Sequence, residues 1–301
     1  MNRIPLIICL VLTLSACIEV VDLDVEDVPQ ELVVNCFFTE NEPFVVNVSR
    51  LAQYPDLNDR NIENASVTIF ENGTEKGRLK HTESGIYTSK AFTPSRGNIY
   101  SIKVEVEDYP EVTASDSIPE KVLIENCTYK RQAGYDEEGD PYGEIAIAFT
   151  DHPKVEFYTV QFYLRWLKAI YDQNGNYVGD EVIWYPTEQF SNDPVILAEG
   201  ITKNDYSKYF AFNDALFTNK KYQLTVSASS EYDSEDKLRV LFETGTTHYY
   251  QYRKRLLKHE SYSYEDPFRP YSPVPLYSNI SGGQGIFAGY QRDIYYLHFS
   301  D

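Results

Sequence analysis

Few residues of this chain are equipped for chemistry, and their spacing decides what each could do. Cys17 follows Leu14-Ser15-Ala16 at the end of an apolar run, Ile4 to Leu14, that Arg3 precedes. The run is eleven residues long. That is too short for the roughly 20 residues of a membrane-spanning helix, but it suits the apolar part of a secretory signal. The order Leu-Ser-Ala-Cys resembles the bacterial lipobox, in which the leader, here residues 1–16, is removed and the cysteine sulfur is acylated. Each buried CH₂ contributes about 0.8 kcal/mol, so two acyl chains anchor stably where one binds reversibly. Cys17 is therefore expected to be the lipidated first residue of an exported protein. Residues 17–29, with Glu19, Asp22, Asp24, Glu26 and Asp27, form an acidic tether behind it.

The remaining chemistry-bearing groups point away from catalysis. Cys9 leaves with the leader. Cys36 and Cys127 remain, and an exported chain lives where disulfides persist. Pairing depends on Cα separation, so a Cys36–Cys127 bridge and two buried thiols both stay open. The five histidines share no metal-ligand spacing, and neither H-E-x-x-H nor a G-x-S-x-G elbow occurs. Gly283-Gln284-Gly285 with Gly289 lacks the strand–helix context of a nucleotide loop. Asp136–Asp140 and Asp172–Asn176 lack the sixth-position Gly and closing Glu of a calcium loop and read as hairpin turns. No catalytic residue, metal or cofactor is expected. Asp116-Ser117-Ile118 matches a bacterial O-glycosylation pattern, with Ser117 as acceptor. Trp166, Trp184 and the tyrosines of 262–277 could form a sugar- or peptide-binding platform, although a half-buried sheet uses such residues for packing alone.

The elements that must position these groups are mostly strands. Aromatics make up 15% of the 301 residues, with 26 Tyr, and the formal net charge is −19. Such a charge excludes a nucleic-acid partner, which needs clustered Lys and Arg against phosphates. Tyr100, Ile102, Val104 and Val106 alternate with polar residues, as do Phe44, Val46 and Val48, and Val67 and Ile69 lead into an Asn72-Gly73 hairpin signal. With Leu32–Phe38 and short runs near 78–81, 86–89 and 111–114, residues 30–117 predict an antiparallel β-sandwich of immunoglobulin-like or transthyretin-like kind. Ser117-Ile118-Pro119 reads as a boundary. Residues 118–301 predict a second β-rich domain with strands at 122–129, 144–150, 158–171, 177–185, 222–227 and 294–299. One helix is predicted near 246–260, with Thr246 or Thr247 as N-cap. It would either pack a Tyr/Leu stripe on the sheet or present Arg253, Lys254, Arg255 and Lys258 as a docking patch. Gly282, Gly283 and Gly285 precede Ile286 and Phe287. They predict either a sharp turn returning Phe287 to the core of the second domain or a loop lying against a partner.

Taken in order, CIEVVDLDVEDVPQELVVNCFFTENEPFVVNVSRLAQY, NASVTIFENG, ESGIYTS, GNIYSIKVEV and PVPLYSNISGGQGIFAGY resemble the outer-membrane lipoproteins of Bacteroidota-type bacteria grouped as domain-of-unknown-function family 4249. The resemblance covers nearly the whole mature chain, with C-x₄-D-L-D and S-N-I-x-G-G-x-G-I-F as its most specific parts. It implies a lipid-anchored β-rich protein of the outer membrane; the acidic run behind Cys17 resembles the tether of lipoproteins exposed at the cell surface of such bacteria, so surface exposure is expected too. The family resemblance also implies a neighbouring TonB-dependent outer-membrane barrel, with this chain as a non-enzymatic accessory subunit that captures ligand or gates the barrel. The other expectation is a structural or adhesive surface lipoprotein without a transport partner. Cys36 departs from the small residue expected there, and no catalytic residue carries over. Replacing Cys17 by Ser should abolish acylation and leave unprocessed or soluble protein; a mutant of normal mass in the membrane fraction would refute the lipobox reading.

Overall fold

The computed structural model describes residues 31–51, 60–201, 206–263 and 274–299. The leader, Cys17, the acidic tether and the tyrosines of 262–271 lie outside the described side chains. The chain alternates as a half-buried strand should, first in β1 (Leu32–Phe38). There Leu32, Val34, Cys36 and Phe38 are buried while Val33, Asn35 and Phe37 face the other way. The same period runs through β2 (Val45–Arg50) and β6 (Ile99–Glu105). Between β3 (Ser66–Glu71) and β4 (Thr74–Glu83) the turn has both central residues, Asn72 and Gly73, at positive φ, as a tight hairpin with right-handed strand twist requires. β4 pairs with β3 through Leu79 and with β5 (Ile86–Thr88) from Lys80 onward, so it passes from one layer to the other. With β7 (Val112–Ser117) on β6, these strands wrap the predicted sandwich around Phe38, Phe44, Ile69, Tyr100 and Val104. The protein is mainly β, as the sequence predicts.

A second core lies between a separate three-stranded sheet and the continuation of the first sheet, which is twelve-stranded in all. One is the three-stranded set of β8 (Ile124–Tyr135), β9 (Pro141–Thr150) and β13 (Lys221–Ser229). The other contains β10 (Phe157–Tyr171), β11 (Tyr177–Pro186), β12 (Tyr209–Asn213), β14 (Lys237–Gly245) and β15 (Gln284–His298). Ile145, Ile147 and Phe149 of β9 meet Val160, Phe162, Val240 and Phe242 across that interface. A short helix, α1 (Pro194–Ala198), closes one side, with the Asp193 side chain accepting from Val195 N–H. The longer α2 (Thr247–Ser263) starts at Thr246, whose hydroxyl accepts from Tyr249 N–H at 3.3 Å.

Two expectations are corrected by β15. The Gly-rich segment is not a free loop: Gly282, at φ +82°, and Gly283 bend the chain just before the strand, and Gly285 lies in its first half, which runs parallel to β1, pairing Val34 with Gly285 and Cys36 with Phe287. Its second half runs antiparallel to β14, from Tyr290–Gly245 to His298–Lys237. Phe287 therefore fills the first core, not that of the second domain. It is fully buried, 4.6 Å from Phe38 between ring centres and stacked on Phe44 at 6.3 Å. The proposed boundary at 117 separates the cores along the chain only as far as β14, because β15 belongs to both. Glu31–Asp301 forms one compact unit. Phe287→Ala should cost about 3–5 kcal/mol of folding stability, the usual range for a buried Phe. Urea unfolding measures this, and a loss below about 1 kcal/mol would mean that β15 does not seat the ring.

Candidate functional site

The sequence-predicted residues are spread over the fold rather than gathered. Cys36 sits in the first core and Cys127 in the second. Both are free thiols, which corrects the proposed bridge: each side chain belongs to a strand that fills a different interior. Burial pushes each thiol up to about 12, so neither is a thiolate nucleophile near neutral pH. Gly282, at φ +82°, lies against the Glu111 carbonyl, and Gly283 against that of Leu32. Asp136 and Asp172 each cap their own turn, accepting from the N–H groups two and four residues on. Among the described residues no group of three or more His, Cys, Asp or Glu is placed to hold a metal ion.

Ser117 ends β7 half-buried rather than in an exposed linker. Its neighbour Asp116 accepts from Gly289 N–H at 3.0 Å and from the Thr246 hydroxyl at 2.5 Å, while its other oxygen accepts from Ser117 N–H. Burial raises the Asp116 carboxyl above its ordinary range against the opposing pull of these donors. A cavity of about 300 Å³ opens beside Asp116, Ser117, Thr246 and His248. The His248 ring is already engaged with Tyr277 Oη at 2.7 Å.

Helix α2 spends much of its predicted charge inward. Glu243 of β14, fully buried, accepts from Thr159, from Tyr249 and from both Nε and Nη2 of Arg292 at 2.7 and 2.6 Å. Burial, with that carboxylate beside it, drives the Tyr249 phenol well above its ordinary pKa. Glu199 accepts from Asn213, Tyr250 and Lys254. The Arg253 guanidinium lies 3.8 Å from the Tyr209 ring centre. Tyr249 and Tyr250 are buried, as the packing alternative requires, and two of the four cations proposed for a docking patch are used to hold the helix down.

The least accounted-for surface is a ribbon that leaves the body. β10 pairs with β14 as far as Leu164–Leu238; from Arg165 to Tyr171 its sole ladder partner is β11. At about 3.3 Å per residue this hairpin projects roughly 20 Å. Sequence reasoning found Trp166 and Trp184 here but not how bare their surroundings are. Trp166 is 59% exposed, Tyr171 61% and Val178 60%, with Leu167, Ile170, Val182 and Tyr185 open as well. On the face shared with α2, the Arg239 guanidinium is clamped 4.9 Å from the Tyr163 ring centre and 4.8 Å from that of Trp184, which in turn contacts Tyr296. The sequence signal was the unbroken alternation of 158–171, longer than a strand confined to one core needs.

The profile of the family described as domain of unknown function DUF4249 matches residues 18–294. The chain belongs to that family. No curated protein matches it. Among solved structures, a β-glucuronidase from glycoside hydrolase family 2 is similar over 85% of this chain and 22% of its own, with 9% identity and a TM-score of 0.23. So loose a likeness bears on neither fold nor activity. Within this DUF4249 chain no helix of the described residues is long and apolar enough to cross a membrane. Iodoacetamide at pH 8 should leave Cys36 and Cys127 unmodified in the folded protein and label both in denaturant. A linked pair of peptides in non-reducing mass mapping would contradict the placement of the two thiols.

Proposed function

We propose that this protein is a non-enzymatic lipoprotein, anchored to the outer membrane through Cys17 and exposed at the cell surface. In this reading it acts as an accessory subunit of a TonB-dependent transporter, capturing ligand or gating the barrel. The observation that supports the reading best is the β10–β11 ribbon. A two-stranded hairpin is marginal in water by itself, and large apolar side chains open on both of its faces favour a partner that covers them. In Trp and Tyr the ribbon carries residue types that dominate protein-binding hot spots.

The test keeps the anchor and removes the ribbon. Residues Leu167 to Val182 are replaced by Asn-Gly, which leaves the β10–β14 and β10–β12 ladders in place. Wild-type protein isolated in detergent should bring a TonB-dependent barrel with it. The shortened protein should melt within a few degrees of wild type, remain in the membrane fraction and retrieve at least tenfold less barrel. Retrieval at the wild-type level by a folded, shortened protein would remove the ribbon from the mechanism. Wild-type protein that retrieves no barrel would end the transporter reading.

A further inference from the structure

The two sides of the ribbon differ in what they offer, and the side shared with α2 gathers several cations. Strand register puts Arg165, Leu167 and Tyr171 of β10 on that side with Val182 and Trp184 of β11, and places Arg239, Lys237 and Tyr296 beside them. In a chain of net charge −19, three cations, Arg165, Lys237 and Arg239, meet here. Asp180, opposite Ala169, is the exposed carboxylate that the ribbon's strands add to this side. No carboxylate of the described residues lies within ion-pair distance of those three cations, whereas Arg292 and Lys254 nearby are both paired. Arg165 donates to the Glu235 carbonyl at 2.8 Å, and Arg239 is fixed between two rings. Both guanidinium groups are thus held in place before any partner arrives, which reduces the ordering cost of binding.

We propose that this side of the ribbon docks an acidic segment of a protein partner, with carboxylates meeting Arg165, Lys237 and Arg239 and apolar side chains covering Leu167, Val182 and Trp184. The inference rests on the reading of the ribbon as a docking element and adds the chemistry of its partner. Charge complementarity selects the occupant. A second copy laid on this face would set the same three cations against each other. An anionic polymer would match the charge but leave the aliphatic and aromatic surface between the cations uncovered. A bilayer is disfavoured because the ribbon's tip, Asp172 to Asn176, is a polar turn.

The test uses full-length protein in detergent and two labelled peptides of one strand-forming pattern, Val and Thr alternating with Glu in one and with Lys in the other. Fluorescence anisotropy should show the Glu peptide binding at least tenfold tighter than the Lys peptide, with affinity falling as salt rises. Arg165→Glu combined with Lys237→Glu should reverse that preference while the melting temperature stays within a few degrees of wild type, because neither side chain is in a core and Arg165 gives up one surface hydrogen bond. Equal binding of the two peptides, or an unchanged preference in the double variant, would overturn the proposal. Tighter capture of heparin or of anionic-lipid vesicles than of the Glu peptide would overturn it in favour of a polymer or a membrane. Barrel retrieval separates the two readings. A barrel retrieved equally by the charge-reversed protein defeats the acidic-partner inference alone, whereas Glu-peptide binding without any barrel leaves the inference standing and defeats the transporter reading.

Discussion

One strand has to serve two interiors, and the approach of its backbone to β1 is the constraint on which the rest of the fold depends. For β15 to lie parallel to β1 and still send Phe287 into the first core, the main chain at position 285 takes φ +116°, and a Cβ there would stand 2.1 Å from the Val34 carbonyl oxygen. Only glycine meets both conditions. Four residues on, a Cβ at Gly289 would fall 1.9 Å from the Ser117 carbonyl oxygen. The strand thus changes partner, from β1 to β14, in a space closed by backbone on both sides. Parallel pairing needs a long connection between its strands, and here that connection is nearly the whole protein.

A strand that changes partner leaves main-chain groups exposed at the crossing point, and buried groups of that kind have to be paired. Asn279 meets this need with its side-chain amide, which donates to the Phe287 carbonyl and accepts from Phe287 N–H at 2.8 and 2.9 Å, as a neighbouring strand would. Asp116 accepts from Gly289 N–H, and Thr246 N–H donates to the Gly289 carbonyl at 3.3 Å. From Tyr290 onward β14 takes over. The S-N-I segment and the Asp-Ser pair are therefore parts of one substitute ladder. Asp116 also sits by the first turn of α2, where a carboxylate is favoured by the helix dipole.

Period-two alternation made most of the first sandwich legible, because in β1, β2 and β6 every second residue is buried against one core. It failed at β14, where Leu241, Phe242, Glu243 and Thr244 are all buried between layers and the pattern reads as continuous. The first half of β15 was hidden for another reason. Its glycines carry the usual signal of a turn, and nothing local shows that they serve a close strand pairing 250 residues away. Cys36 and Cys127 looked like a pair because the sequence held no other free thiols after the leader; the two cores that separate them exist only in the assembled fold. The helix was legible in position and in its buried tyrosines, but its basic residues could not be divided into inner and outer sets without knowing where Glu199 and Glu243 lie.

That division bears on the ribbon as well. Around α2 the cations that reach buried carboxylates are spent on stability: Arg292 on Glu243 and Lys254 on Glu199. Leaving such buried carboxylates unpaired would be strongly destabilising. Arg165, Lys237 and Arg239 have no such obligation, and they sit where the sheet runs past its second layer. Folding by itself gives no reason to keep two tryptophans and a row of exposed aliphatic side chains on a hairpin that projects past both cores, beside three cations that meet no carboxylate. An edge with so much bare surface invites unwanted pairing, so its retention is explained more economically by contact with another surface than by the stability of this one.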